Sequence, residues 1–231
     1  MLLFYNMARN YNFAPGEYYH IYNRGVEKRK IFLKKGDYQR FQFLLYICNN
    51  NKKAITVRDY RGLTSVEKYN LQREGTLVDI GAYCLMPNHF HLLLREKTKG
   101  GISLFLQKIT TGYTMYFNQI NKRSGSLFQG SFQAKHADED RYLKYLYAYI
   151  HLNPLKIIDS SWKEKGIKSA RRAEEFLTQY SHSSFLEYIG QSRPENSILN
   201  PSEFPDYFQD NLEFNEFIKD WFTINQEFTE V

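Results

Sequence analysis

Two apolar runs, Leu77 to Met86 and Phe90 to Arg95, meet across the break Met86-Pro87-Asn88, and this pairing constrains the fold more than any other stretch. Runs of this length and composition read as strands. A break this short cannot hold a crossover helix, so the two strands are antiparallel neighbours. Because apolar residues fill nearly every position, both faces of the pair are expected to be buried, which places it at the centre of a sheet. With 231 residues, 42% of them apolar, the chain can bury a sizeable core around it.

The flanking sequence supplies the other elements. Tyr18 to Tyr22 has strand composition and ends at an Asn23-Arg24-Gly25 turn. Asp37 to Asn49 reads as a helix capped at Asp37, and Ile102 to Asn121 as a long helix with apolar residues at threes and fours. Leu127 to Ala137 reads as loop plus short strand. Glu139 to Leu152 reads as a helix stopped by Asn153-Pro154. The charged stretch Asn50 to Glu74 fits either a strand or a short helix. Strands that alternate irregularly with helices imply an α+β sandwich.

Beyond Ile157 the character changes. This part is acidic, is broken by Gly166, Gly190, Pro194, Pro201 and Pro205, and holds one amphipathic helix over Phe208 to Phe222. The expected organisation is a domain over 1–160 with an acidic, mostly helical extension over 161–231.

Charge follows the same division. Lys and Arg outnumber Asp and Glu before residue 160, the balance reverses after it, and the whole chain carries a formal +6. A basic body suits a polyanionic partner, and aromatics at 17% suit stacking on unpaired bases. Cys48 and Cys84 are the only cysteines, so neither a disulfide framework nor a Cys-x-x-Cys zinc site is expected, and the pair fits a reducing cytoplasm. Met1 to Arg9 lacks the long apolar run of a signal peptide.

Two motifs carry chemistry. In His89-Phe90-His91 both imidazoles project from one face of a strand while Phe90 faces the opposite layer. Two imidazoles make a partial metal site that needs a third ligand. The second motif is the helical run Tyr142 to Pro154, where Tyr145, Tyr149 and Asn153 recur at spacings of four and share a face. Tyr147 and His151 form an adjacent face. A divalent cation held by His89, His91 and the Asn153 side chain would polarise a phosphate beside the Tyr149 hydroxyl, and a tyrosine so placed can act as a nucleophile. Tyr147 and Tyr145 are the rival nucleophiles. Tyr149 is preferred because it keeps the four-residue step to Asn153. Pro154 disfavours helical geometry at Asn153, which puts that ligand in question. His20 and His151 are read as structural histidines.

Four segments, in this order, resemble the REP-associated tyrosine transposases and the insertion sequence 200-like single-tyrosine HUH transposases. They are Tyr19 to Gly25, Tyr83 to His91, Gly125 to Phe132 and Tyr149 to Pro154, and the resemblance spans about residues 14 to 160. It implies a ferredoxin-like sandwich whose central antiparallel strand carries the histidine pair. It also implies cleavage of single-stranded or hairpin DNA that depends on Mg²⁺ or Mn²⁺, by a cytoplasmic, nucleoid-associated protein. Carried over, His89, His91 and Asn153 would hold the metal and Tyr149 would form a 5′-phosphotyrosine bond, leaving a 3′-hydroxyl. The family works both as monomers and as homodimers, and the sequence leaves both open.

DNA contacts are expected from Arg24, Lys28 and Arg29 after the first strand, and from Lys108, Lys122, Arg123 and Lys135 around the active face. Two other readings share these residues: a non-catalytic DNA-binding descendant of a transposase, and a nicking enzyme that does not transpose.

Overall fold

A computed structural model describes residues 11–51 and 60–223. The Met1 to Arg9 opening and part of the Asn50 to Glu74 stretch lie outside the described residues. Four strands form one antiparallel sheet in the order β2-β3-β1-β4: β1 Tyr18–Arg24, β2 Val78–Met86, β3 His89–Glu96 and β4 Gln133–His136. Of the apolar hairpin β2–β3, β3 is central as expected, whereas β2 forms one edge of the sheet. Helix α1 (Lys35–Ile47) connects β1 towards β2, and α3 (Gly101–Ile120) connects β3 to β4. A short α2 (Ser65–Tyr69) lies between α1 and β2. This connectivity and strand order are those of a ferredoxin-like split βαβ sandwich.

Side-chain alternation divides the core into two layers. On one face Ile21, Ile80, Leu85, Phe90, Leu92 and Leu94 pack against Phe41, Leu44 and Leu45 of α1 and Ile102, Phe105 and Ile109 of α3. On the other face Ala82, Cys84, Met86 and Leu93 pack against Leu143, Leu146 and Ile150 of α4 (Asp140–Leu152). This second layer also takes Trp162 of α5 (Trp162–Lys165), Leu177 of α6 (Ala170–Gln179), Phe185 and Leu186 of α7 (Phe185–Tyr188), and Phe214 and Ile218 of α8 (Asn211–Thr223). The acidic segment after residue 160 therefore shares a core with α4.

The same segment covers the outer edge of β2. Leu85 N donates to His182 O, Ser184 N to Tyr83 O and Asn200 N to Ile80 O, at 2.9 to 3.0 Å. The Tyr180 hydroxyl donates to Leu85 O and the Tyr188 hydroxyl to Gly81 O. Gly81 sits at a register shift in β2, where any Cβ would lie 2.8 Å from the Phe204 ring, so the close approach of that ring requires glycine.

Several boundaries differ from the sequence expectation for definite reasons. Helix α1 begins at Lys35, because Asp37 works from inside the first turn. Its Oδ2 accepts from Leu33 N at 2.8 Å and Lys34 N at 3.1 Å. Asn23 and Arg24 belong to β1 rather than to a turn, since they pair with Phe90 and His89. The last helix starts at Asn211 rather than Phe208; Asp210 accepts from Leu212 N and Glu213 N. No helix among the described residues is long and apolar enough to cross a membrane.

Candidate active site

The register places the chemistry. On β3, His89 and His91 pair across β1 with Arg24 and Tyr22, and His20 pairs with Leu93. Alternation therefore puts His20, Tyr22, Arg24, His89 and His91 on the face that α4 covers, while Phe90 enters the opposite core. Around the two histidines that face is covered, with His91 5% exposed and His89 half-buried, whereas Tyr22 and Arg24 towards the end of β1 are exposed. The rings of His89 and His91 meet edge to face, 5.0 Å between centroids.

Helix α4 brings the tyrosine. The Tyr149 ring stands edge-on to His91 at 5.4 Å and 88°, and to His20 at 5.4 Å and 74°. Tyr145 packs on Tyr149 one turn earlier, at 5.8 Å, and on Trp221 at 5.3 Å. Tyr147 faces the other way, into the second core layer, where its ring meets Tyr188, Tyr207 and Phe208. Burial there, first of all, raises the Tyr147 phenol well above its ordinary value, which makes it a poor source of phenolate. The helical period thus separates Tyr147 from Tyr149: side chains two positions apart on a helix point about 160° away from each other, whereas those four apart, Tyr145 and Tyr149, return to one face.

Asn153 stays with them. Its φ and ψ of −52° and −38° are helical in spite of Pro154, and a 3-10 turn Asn153–Ile157 continues the chain. The proline's disfavour is overcome here, and the amide Nδ2 donates to Tyr149 O at 2.9 Å. Asn153 is fully buried, yet its Oδ1 has no hydrogen-bond partner among the described residues. A buried amide oxygen left so is costly unless an electron-pair acceptor meets it.

Electrostatics favour neutral imidazoles. Burial lowers His89 to about 4, with Lys156, Arg24 and Lys163 pushing the same way. His20 falls to about 3, chiefly through burial and then through Lys163 and Lys135. His91 is driven well below its ordinary value by burial, then by its histidine neighbours and the same lysines. At neutral pH each imidazole thus keeps an unprotonated ring nitrogen, as a metal ligand must. Among the described residues no group of three His, Cys, Asp or Glu side chains is arranged to hold a metal, and the Asn153 Oδ1 is a buried amide oxygen without a hydrogen-bond partner there.

The expected cations divide. Arg24, at the end of β1 opposite His89, is exposed, and its Nε donates to Gln129 Oε1 at 2.5 Å. Lys135 on β4 pairs with His20, and its ammonium sits 4.4 Å from the Tyr142 ring centroid. Lys28 is exposed, and Arg29 donates to Val26 O and to Glu27. Lys122 is exposed beyond the end of α3, where Arg123 ties Asn118 to Ser126 O. Lys108 lies on α3, in the layer opposite the histidines, and donates to Asn50 O at 2.8 Å. The sequence reading missed Lys163, whose ammonium lies 3.8 Å from the Tyr149 ring centroid, and Lys156. Neither belongs to a motif. It also missed the place of His20, although His20 and Tyr22 alternate on one strand face.

Comparison with known proteins gives two findings. The family model described as "Transposase IS200 like" matches residues 43–153. A solved structure of a REP-associated tyrosine transposase bound to a REP hairpin aligns with 88% of this chain and 91% of its own, at 15% identity and a TM-score of 0.48. No curated protein matches the chain. The matched stretch, residues 43–153, carries His89, His91, Tyr149 and Asn153.

Proposed function

We propose that the chain is a metal-dependent single-stranded DNA endonuclease and strand transferase, a transposase acting at hairpin-flanked sites through a 5′-phosphotyrosine intermediate. The observation that carries this reading is the meeting of the Tyr149 ring with the His91 imidazole, 5.4 Å apart, although they come from different layers of the sandwich. His89, His91 and Asn153 would hold Mg²⁺ or Mn²⁺, which when bound supplies a positive charge that polarises the scissile phosphate.

The protein's own groups do the rest. Tyr149 attacks phosphorus through its phenol oxygen; the phenol proton is lost and the departing 3′-oxygen gains one, leaving a 3′-hydroxyl. The energy of the broken phosphodiester is kept in the phosphotyrosine ester. Attack by another 3′-hydroxyl then restores the phenol and joins two strands with no external energy source. Lys163 and Arg24 bring positive charge to a face where phosphate must lie, and Lys135 adds to it from β4. Lys28, Arg29, Lys122 and Arg123 would extend the contact along the backbone.

The test is covalent capture. Incubated with Mn²⁺ and labelled hairpin-bearing single-stranded DNA, the protein should give an adduct that survives denaturation. Tyr149→Phe should abolish it while hairpin binding changes less than threefold, and Tyr147→Phe should retain it. An adduct that persists in Tyr149→Phe overturns the assignment.

A further inference from the structure

His20 is the third imidazole of the cluster, and no motif assigned it a role. Its Nε2 lies 2.9 Å from His91 Nδ1, with both side chains buried and the two rings stacked at 5.1 Å and 21°. Two imidazole nitrogens at this distance share one hydrogen, so one of them donates and the other accepts. The bond engages His91 through Nδ1 and leaves Nε2 as the nitrogen able to face a ligand.

His89 gives an independent view of the same design. Its Nδ1 lies 2.7 Å from Asn88 Oδ1, and the Asn88 amide nitrogen is oriented by its own bond to Lys28 O at 3.3 Å. An amide oxygen can only accept, so His89 carries its hydrogen on Nδ1 and presents a bare Nε2. For His91 to do likewise, His20 has to accept through Nε2 and keep its own hydrogen on Nδ1. Asn88 is restricted to that role by its chemistry. His20 is restricted to it by the ligand that His91 would hold.

We infer that His20 is a positioning residue, accepting the His91 Nδ1 hydrogen so that His89 and His91 both present Nε2 to the same cation. The inference rests on the metal-site reading above and deepens it. Outer partners of this kind fix ring orientation and tautomer, and losing one typically costs about 10- to 100-fold in metal affinity. The stacked geometry adds a steric part: His20 blocks rotation of the His91 ring about its Cβ–Cγ bond.

The full chain tests this in two ways. In the metal-free, DNA-free protein, ¹⁵N chemical shifts should show His91 as the Nδ1–H tautomer. In His20→Phe, which keeps the ring volume, the pure tautomer should give way to a mixture, and Mn²⁺ affinity, read by electron paramagnetic resonance, should fall about 10- to 100-fold. His20→Gln, whose side-chain oxygen can still accept, should restore most of both. His91 found as the Nε2–H tautomer in the wild type overturns the inference, as does wild-type Mn²⁺ binding that His20→Phe leaves unchanged. A wild-type protein that binds no Mn²⁺ at all overturns the metal site itself, and the role of His20 with it.

Discussion

His151 shows what a wholly buried imidazole does to a protein of this kind. Its Nε2 lies 2.7 Å from Ser184 Oγ, and burial lowers it to about 3 from an ordinary 6.5. The unfolded chain takes up a proton near 6.5 that the folded chain refuses until about 3, so stability is full above 6.5 and drains away as pH falls through that window. At pH 5 this one group costs about 2 kcal/mol. His151→Gln should be less stable than wild type at pH 7.5 but lose less between 7.5 and 5, as urea unfolding at the two values would show. An equally steep loss in the variant would remove His151 as a source. Residues such as His89, His91, Tyr149 and Asn153 were readable because each pair lies within one period of its own element. His20 was not. Its partner lies 71 residues away, and the register that joins β1 to β3 is written in no local pattern.

At the scale of elements, β3 and α3 are joined by one carboxylate. Glu96 ends β3 fully buried, and its oxygens accept from Gly100 N at 2.6 Å, Gly101 N at 3.1 Å and Ile102 N at 2.7 Å. Three orphan donors of the helix start are satisfied by one charge that also complements the helix dipole. Glu96→Gln keeps the shape but sets an amide NH₂ among N–H donors, and should lose about 2–3 kcal/mol by denaturant midpoint. A change under about 0.5 kcal/mol would show that solvent caps the helix equally well. The helices and the β2–β3 hairpin were legible from period and composition. What escaped was the behaviour of ends: Asp37 capping from within its helix, and Asn153 remaining helical before proline at the start of a 3-10 turn.

For the whole molecule the informative part is the one that read least clearly. Phe214 and Ile218 lie on the amphipathic helix that the sequence announced, but Phe185, Leu186 and Phe204 are scattered among glycines, prolines and acids, so no period announced that they complete the second core layer with α4. A chain ended at residue 160 would leave Leu143, Leu146 and Ile150 without that cover. We expect such a truncation to unfold without a sharp transition and to bind a hydrophobic dye at neutral pH, whereas the full chain unfolds cooperatively and does not. A truncated chain as cooperative as the full one would show that the first layer alone sustains the fold.

The occupied rim of β2 has a further consequence for how copies of this protein can meet. Sheets commonly grow by borrowing a strand from a neighbour, and that route needs free peptide groups along a flank. Here the polypeptide between residues 180 and 200 has already claimed them on one side. Among the described residues the other flank of the sheet is that of β4, four residues long, so strand-swapped aggregation has a short doorway there and a closed one at β2.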